Sequence, residues 1–265
     1  MIIDSLTHVT PDGRWFRRAE VDASEDRLLR QMDDSGVERA VVVALAEHIA
    51  NEFVLGVCQR HADRLVPGGS FNPAAWPDEA EAATQFRAQL KSSPFPLIKL
   101  HPRLNRYDPL DPRCLAILRE LMTWPARPAI WIDSLFYFNG GTLTRPVVDT
   151  VQFLGSSFPE IYFVVLHCGG SWALQVAEAV RDCPNVFLDL SFTAHRYAGS
   201  SLELDLKYLV ETFDRRLLFG SDFPEVGIDE ALVDFHRLSH SAAPEKVANV
   251  LGKNLQTILS RLPSN

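Results

Sequence analysis

Arg216-Leu217-Leu218-Phe219-Gly220-Ser221-Asp222-Phe223-Pro224 is the stretch on which the reading of this chain turns. Leu217 to Gly220 carry no polar residue in alternation, and a strand without a polar face is buried on both sides, as parallel strands of α/β proteins are. Pro224 stops the strand from running on. A carboxylate, Asp222, is thereby left at the C-terminal end of a buried strand, where α/β barrels keep their chemistry. Taken alone, Asp-Phe-Pro reads more simply as a helix cap or a turn. The other strands decide between the two.

Working outward, strand one covers residues 1–8 and strand two Ala40 to Leu45. Strand three runs from Leu65 to Phe71, strand four from Leu97 to His101 and strand five from Ala129 to Asp133. Strand six spans Ile161 to His167, strand seven Val186 to Leu190, and the opening stretch is strand eight. Helices alternate with them. Ser24 is placed to cap the first, with Glu25 and Asp26 in its first turn and Gly36 to stop it. Others are expected at about Ala50–His61, Asp78–Leu90, Pro112–Met122, Arg145–Phe158 and Leu202–Phe213, with one opened by Gly169-Gly170. The chain ends in helical segments at Pro244–Leu251 and Asn254–Leu262. Eight buried strands, each followed by a helix, predict an α/β (β/α)8 TIM barrel, one domain over residues 1–265. A doubly wound sheet would want a Gly-rich first turn, and Thr7-His8-Val9-Thr10 is not one.

Composition agrees. The chain has 265 residues, 46% of them hydrophobic, against the ~250 typical of one such barrel. A net charge of −8 leaves no electrostatic footprint for nucleic acid or an anionic membrane. Cys58, Cys114, Cys168 and Cys183 are scattered, with no C-x-x-C pair, and read as reduced core thiols. No apolar run approaches the ~20 residues that span a bilayer, and Met1-Ile2-Ile3-Asp4 enters a strand without a signal segment. A soluble cytoplasmic protein acting on a small molecule is expected.

The barrel predicts that polar side chains gather at strand C-termini, and they do. His8, Lys99, His101, Asp133, His167, Asp189 and Asp222 all lie at or near strand ends. Alternation puts Lys99 and His101 on one face, and Asp4, Leu6 and His8 on one face. A buried unpaired charge is costly, so this many together mark a polar site.

Ile2-Ile3-Asp4-x-x-x-His8, Ile98-Lys99-Leu100-His101-Pro102, Leu166-His167-Cys168-Gly169-Gly170, Leu218 to Pro224 and the ending Leu251-Gly252-Lys253-Asn254-Leu255 together resemble the amidohydrolase superfamily. The likeness is to its amidohydrolase-related branch, which includes aminocarboxymuconate semialdehyde decarboxylase and lactonases. It implies a divalent metal, zinc or manganese, on two strand-one histidines, a strand-five histidine and the strand-eight aspartate, with the strand-six histidine assisting proton transfer. His8, His167 and Asp222 match that pattern, whereas Leu6 and Asp133 replace two of its histidines. Relatives of this branch are often homodimers.

Three readings follow. In one, His8, Asp133 and Asp222 hold a metal as an N/O/O set, with Lys99 as a carboxylated bridge a minor variant. In the leading one no metal is needed: Asp222 is the base that activates water, while Lys99, His101, His167 and Arg196 hold the substrate's carboxylate or carbonyl. In the third, the barrel only binds a ligand. The leading function is a hydrolase of a small carboxylate-bearing lactone, ester or amide, catalysed by Asp222, His167 and Lys99, with His101, Arg196 and Tyr197 on the substrate. The alternative enzyme is a decarboxylase or other lyase.

Each residue has a plainer explanation. His8 reads equally as a core histidine bonded to a carbonyl. His101 could cap its strand before Pro102, and His195-Arg196-Tyr197 could be a surface loop. Lys99, in an apolar strand, requires a partner, and Asp222 or Asp133 is the natural one. Cys168 has no feature that would lower its thiol pKa. His48, His61, His236 and His240 read as structural. Trp15, Phe16, Trp131, Phe136, Tyr137 and Phe138 suit either packing or a pocket for a flat substrate.

Overall fold

The computed structural model describes residues 1–16, 18–93, 95–135 and 146–260. Eight parallel strands follow one another round a sheet: β1 Ile3–Thr7, β2 Arg39–Val43, β3 Leu65–Ser70, β4 Leu97–Leu100, β5 Ala129–Asp133, β6 Phe163–Leu166, β7 Val186–Asp189 and β8 Leu217–Leu218. The sheet closes on itself at the seam between β1 and β8. There Ser5 N donates to Phe219 O at 3.0 Å, Asp222 N to Leu6 O at 2.9 Å and His8 N to Phe223 O at 2.7 Å. With helices between the strands, this is the (β/α)8 barrel that the alternation of buried runs and helices predicts.

Two apolar clusters follow from that closure. Alternate residues of the strands, among them Ile3, Val41, Leu97, Trp131, Leu166, Phe187 and Leu218, meet in the lumen, and Leu255 and Ile258 pack with them. The opposite faces, such as Ala40, Val42, Ile98, Ile130 and Val165, pack against helices. Trp131 is fully buried there, so it belongs to the core and not to a pocket. Phe136, Tyr137 and Phe138 lie outside the described residues.

Several expectations are corrected. The alternation that would align Asp4, Leu6 and His8 is broken by a bulge. Between Asp4 and Thr7 the register advances three residues on β1 against two, Ala40 to Val42, on β2. Asp4 Oδ1 holds this bulge by accepting from Leu6 N at 3.1 Å and Ser221 N at 3.0 Å. The extra residue turns Leu6 into the lumen and Asp4 away from it. After β1 the chain forms a two-stranded hairpin, Arg14–Trp15 with Arg18–Asp22, that the sequence reading did not include. β8 ends at Leu218, earlier than expected, because the chain then bonds to β1 instead of to β7. Gly169-Gly170 does not open a helix directly. His167, Cys168, Gly169 and Gly170 all have positive φ, and the regular helix begins at Ala173. The cap at Ser24 and the stop at Gly36 (φ 67°) are as expected.

Candidate active site

Strand periodicity sets where the polar groups point. Lys99 stands two residues after Leu97, Asp133 two after Trp131 and Asp189 two after Phe187, so each side chain continues a lumen-facing row above an apolar floor. His8 follows the bulge. His167 (φ 63°) and Asp222 (φ 67°) take the left-handed conformation that side-chain-bearing residues seldom adopt. The chain turns sharply at both, with the Asp222 turn fixed by its N–H bond to β1.

The three histidines have distinct hydrogen-bond roles. His8 Nδ1 lies 2.6 Å from Val43 O, and a carbonyl can only accept, so Nδ1 carries the proton and Nε2 is bare. Nε2 faces Lys99 Nζ at 3.2 Å and Asp222 Oδ1 at 3.9 Å. Burial and the Lys99 charge hold His8 well below its ordinary pKa, in accord with a neutral ring. His101 Nδ1 accepts from Leu104 N at 3.3 Å, which leaves Nε2 to carry the proton toward Asp133 Oδ2 at 3.5 Å. Burial lowers its pKa too, against the pull of Asp133. His167 differs. Its Nδ1 faces Ser191 O at 3.1 Å and its Nε2 faces Asp133 Oδ2 at 3.4 Å, two acceptors that favour a proton on each nitrogen. Burial works against that charge, but the Asp133 bond and the Asp222 charge outweigh it and raise the His167 pKa.

The carboxylates are equally differentiated. Burial would raise Asp133, yet His101, Arg103 and His167 together hold it well below the usual carboxylate range. Asp222, 9% exposed, is pushed up to about 6 by burial, tempered by His167 and Lys99. Asp189 sits behind His167, accepting from the Ser5 and Ser191 hydroxyls and, at 3.3 Å, from His167 N. Asp4, outside the lumen, is raised to about 7 by burial, with its bonds from Ser221 and Leu6 opposing.

His8, Lys99, His101, Asp133, His167 and Asp222 are therefore brought together. Lys99 does not meet its expected partner: among the described residues no carboxylate oxygen lies within 4.0 Å of Nζ, and His8 Nε2 is its neighbour. Arg196 is exposed on a short helix, Thr193–Arg196, and Tyr197 is half-buried against the helix-side core. The adjacent His195 bonds to Asp234 at 2.8 Å. Cys168 is buried, donates to Asp189 O and has its thiol pKa pushed up, as an inert thiol should.

Sequence reasoning missed four participants. Arg103 reaches Asp133 with both Nε (3.4 Å) and a terminal nitrogen (3.5 Å). Its position two residues after His101, at the mouth end of β4, was the available signal. Ser5 and Ser191 carry no signal beyond their places at strand ends. Glu225 accepts from Trp15 Nε1 at 2.6 Å, and Trp15 in turn stacks on His8 at 5.7 Å between centroids.

The expected metal set does not fit this arrangement. Leu6 offers no donor, His8 Nε2 is engaged by Lys99, and Asp133 is committed to Arg103, His101 and His167. Among the described residues no three His, Cys, Asp or Glu side chains form a group able to hold an ion.

A TIM barrel whose strand ends carry histidines, carboxylates and a buried lysine defines a class of enzyme-like barrels. Within that class the chain belongs to the amidohydrolase family, whose model matches residues 3–254. No curated protein sequence matches it. Among solved structures, an uncharacterized TIM-barrel protein from Bordetella bronchiseptica is similar at TM-score 0.79 and 16% identity, covering 98% of each chain. A probable 2-pyrone-4,6-dicarboxylic acid hydrolase from Acinetobacter baumannii, with citric acid bound, gives 0.67 and 16%, covering 98% of this chain and 99% of that one. A 5-carboxyvanillate decarboxylase from Novosphingobium aromaticivorans, with bound manganese, gives 0.69 and 12%, covering 98% and 97%. At these identities the structural likeness establishes the fold.

Proposed function

We propose that the protein is a hydrolase of a small carboxylate-bearing lactone, ester or amide. The observation that carries this reading is Asp222: a buried carboxylate beside His8, raised to about 6 and within reach of the His167 charge. Above that pH Asp222 is ionised and takes a proton from water as the water attacks the substrate carbonyl. His167 Nε2–H and a Lys99 N–H donate to the oxygen on which charge develops. Arg103 and His101, at the mouth, bind the substrate's carboxylate, as planar guanidinium groups do well. The similar dicarboxylic acid hydrolase supports a carboxylate-bearing substrate. Because the ligand set does not fit a metal, no step in this mechanism is routed through one.

A decarboxylase is the second reading, favoured by the manganese-bound neighbour and by a buried lysine that feels the Asp222 charge. The test is turnover of a panel of lactones, activated esters and aromatic carboxylic acids. Lactone or ester cleavage that falls roughly 10²–10⁴-fold in Asp222→Asn is expected. Release of carbon dioxide without any hydrolysis would transfer the assignment to the lyase.

A further inference from the structure

We propose that the bottom of the barrel carries a second ligand site, which takes a small organic carboxylate with an apolar body. It lies apart from the mouth and does not rest on the hydrolytic reading. A cavity of about 420 Å³ opens there, between the first residues of β2 and β3 and the C-terminal ends of the helices Asn51–Arg60 and Glu79–Ser92. Pockets that hold small molecules commonly measure roughly 300–1,000 Å³. Leu55, Leu65 and Val66 give this one apolar walls, and among the described residues that line it Arg39 alone is charged. Arg39 is half-buried, and among the described residues its guanidinium has no hydrogen-bond, ion-pair or ring partner. It is left so in a chain whose 34 acidic residues outnumber 26 basic ones.

Carboxylates near the cavity are already engaged. Glu38, next to Arg39 in sequence, pairs with the N-terminal ammonium at 3.0 Å. Glu25, whose charge reaches the lining Cys58, is held by Arg60 and, at 2.7 Å, by His61. The two helix C-termini favour a cation, but theirs is a partial charge that fades within a turn. Carbonyls there are also taken: Cys58 O accepts from His61 N at 3.2 Å and Gln89 O from Ser93 N at 2.9 Å. A carboxylate set two-pronged on a guanidinium makes charge-assisted bonds about twice as strong as neutral ones, and this outweighs the helix ends. The Gln59 amide and the Ser93 hydroxyl, both in the lining, supply further donors.

The site is distinct from the catalytic one. Arg39 opens β2, whereas Val43, whose carbonyl holds His8, closes it. Four residues of strand separate the two by about 13 Å. Arg39 N donates to Ile2 O at 3.4 Å, which anchors the base of the side chain.

The experiment is a fluorine NMR titration of the full chain with para-fluorophenylacetate, its neutral amide and para-fluorophenethylamine. The acid is expected to bind roughly 10-fold or more tightly than the amide, and the amine not to bind. In Arg103→Gln, which strips the mouth of its proposed carboxylate-binding group, the acid should still bind. Adding Arg39→Gln to that variant should weaken the acid by a similar factor. Inorganic phosphate, charged but without an apolar body, should not displace it. Comparing the three probes on the wild-type chain keeps the test decisive should a variant fold poorly. Equal binding of acid and amide, preference for the amine, displacement by phosphate, loss of the acid in Arg103→Gln alone, its survival in the double variant, or no binding of the acid overturns the proposal.

Discussion

Asp222 and His167 feel each other's charge but are driven in different ways. Burial raises Asp222 to about 6, while the Asp133 bond and the Asp222 charge raise His167 above the ordinary 6.5 despite burial. A base must be ionised to act, so activity should rise with pH through about 6. A donor must be protonated, so it should fall again at a pH above 6.5. A bell-shaped kcat/KM profile with its acid limb near 6 is expected, the apparent values belonging to the coupled cluster. A profile flat from pH 5 to pH 8, on any substrate found, would remove Asp222 as the base. Leu6 and Asp133 show the same logic by replacement: where the resemblance implies ligand nitrogens, this chain has an apolar side chain and a carboxylate neutralised by Arg103.

Elements matter chiefly at the seam. β8 contributes only two residues to the ladder, and closure is completed by backbone bonds from Ser5, His8 and Asp222. Gly220 is required there. A Cβ on it would lie 2.5 Å from both Asp189 Oδ2 and Ser5 Oγ, and those two atoms are bonded to each other and cannot both step aside. Gly220→Ala should therefore destabilise by roughly 1–3 kcal/mol, the usual cost of overpacking, read as a lowered midpoint in chemical denaturation. An unchanged midpoint would mean the seam has slack that the contacts do not suggest. The hairpin of residues 14–22 has a different role, holding Trp15 over His8 through the Trp15–Glu225 bond.

At the scale of the whole molecule, the barrel converts scattered residues into one centre. Its floor is apolar, and its mouth holds Lys99 and Arg103 where the ligand set of a metal is incomplete. Exhaustive chelation is thus expected to leave both the melting temperature and kcat/KM unchanged, with no gain on adding Zn²⁺ or Mn²⁺. Metal-dependent recovery of activity after chelation would restore a coordinated ion to the mechanism. No helix among the described residues is long and apolar enough to cross a membrane.

Periodicity alone determined the strand count, the fold and most of the polar rim, because buried parallel strands read as uninterrupted apolar runs and their ends as sudden polar residues. His8, Lys99, His101, Asp133, His167 and Asp222 were legible for that reason. Which of them touch was decided only by tertiary structure. One extra residue in β1 puts Asp4 and Leu6 on opposite faces, and no local propensity announces a bulge. Lys99 meets His8, with no carboxylate within 4.0 Å among the described residues, because that depends on how separately encoded strands are set around the cylinder. The protonation of each histidine likewise depends on acceptors up to 35 residues distant in sequence, which meet it only after the barrel closes.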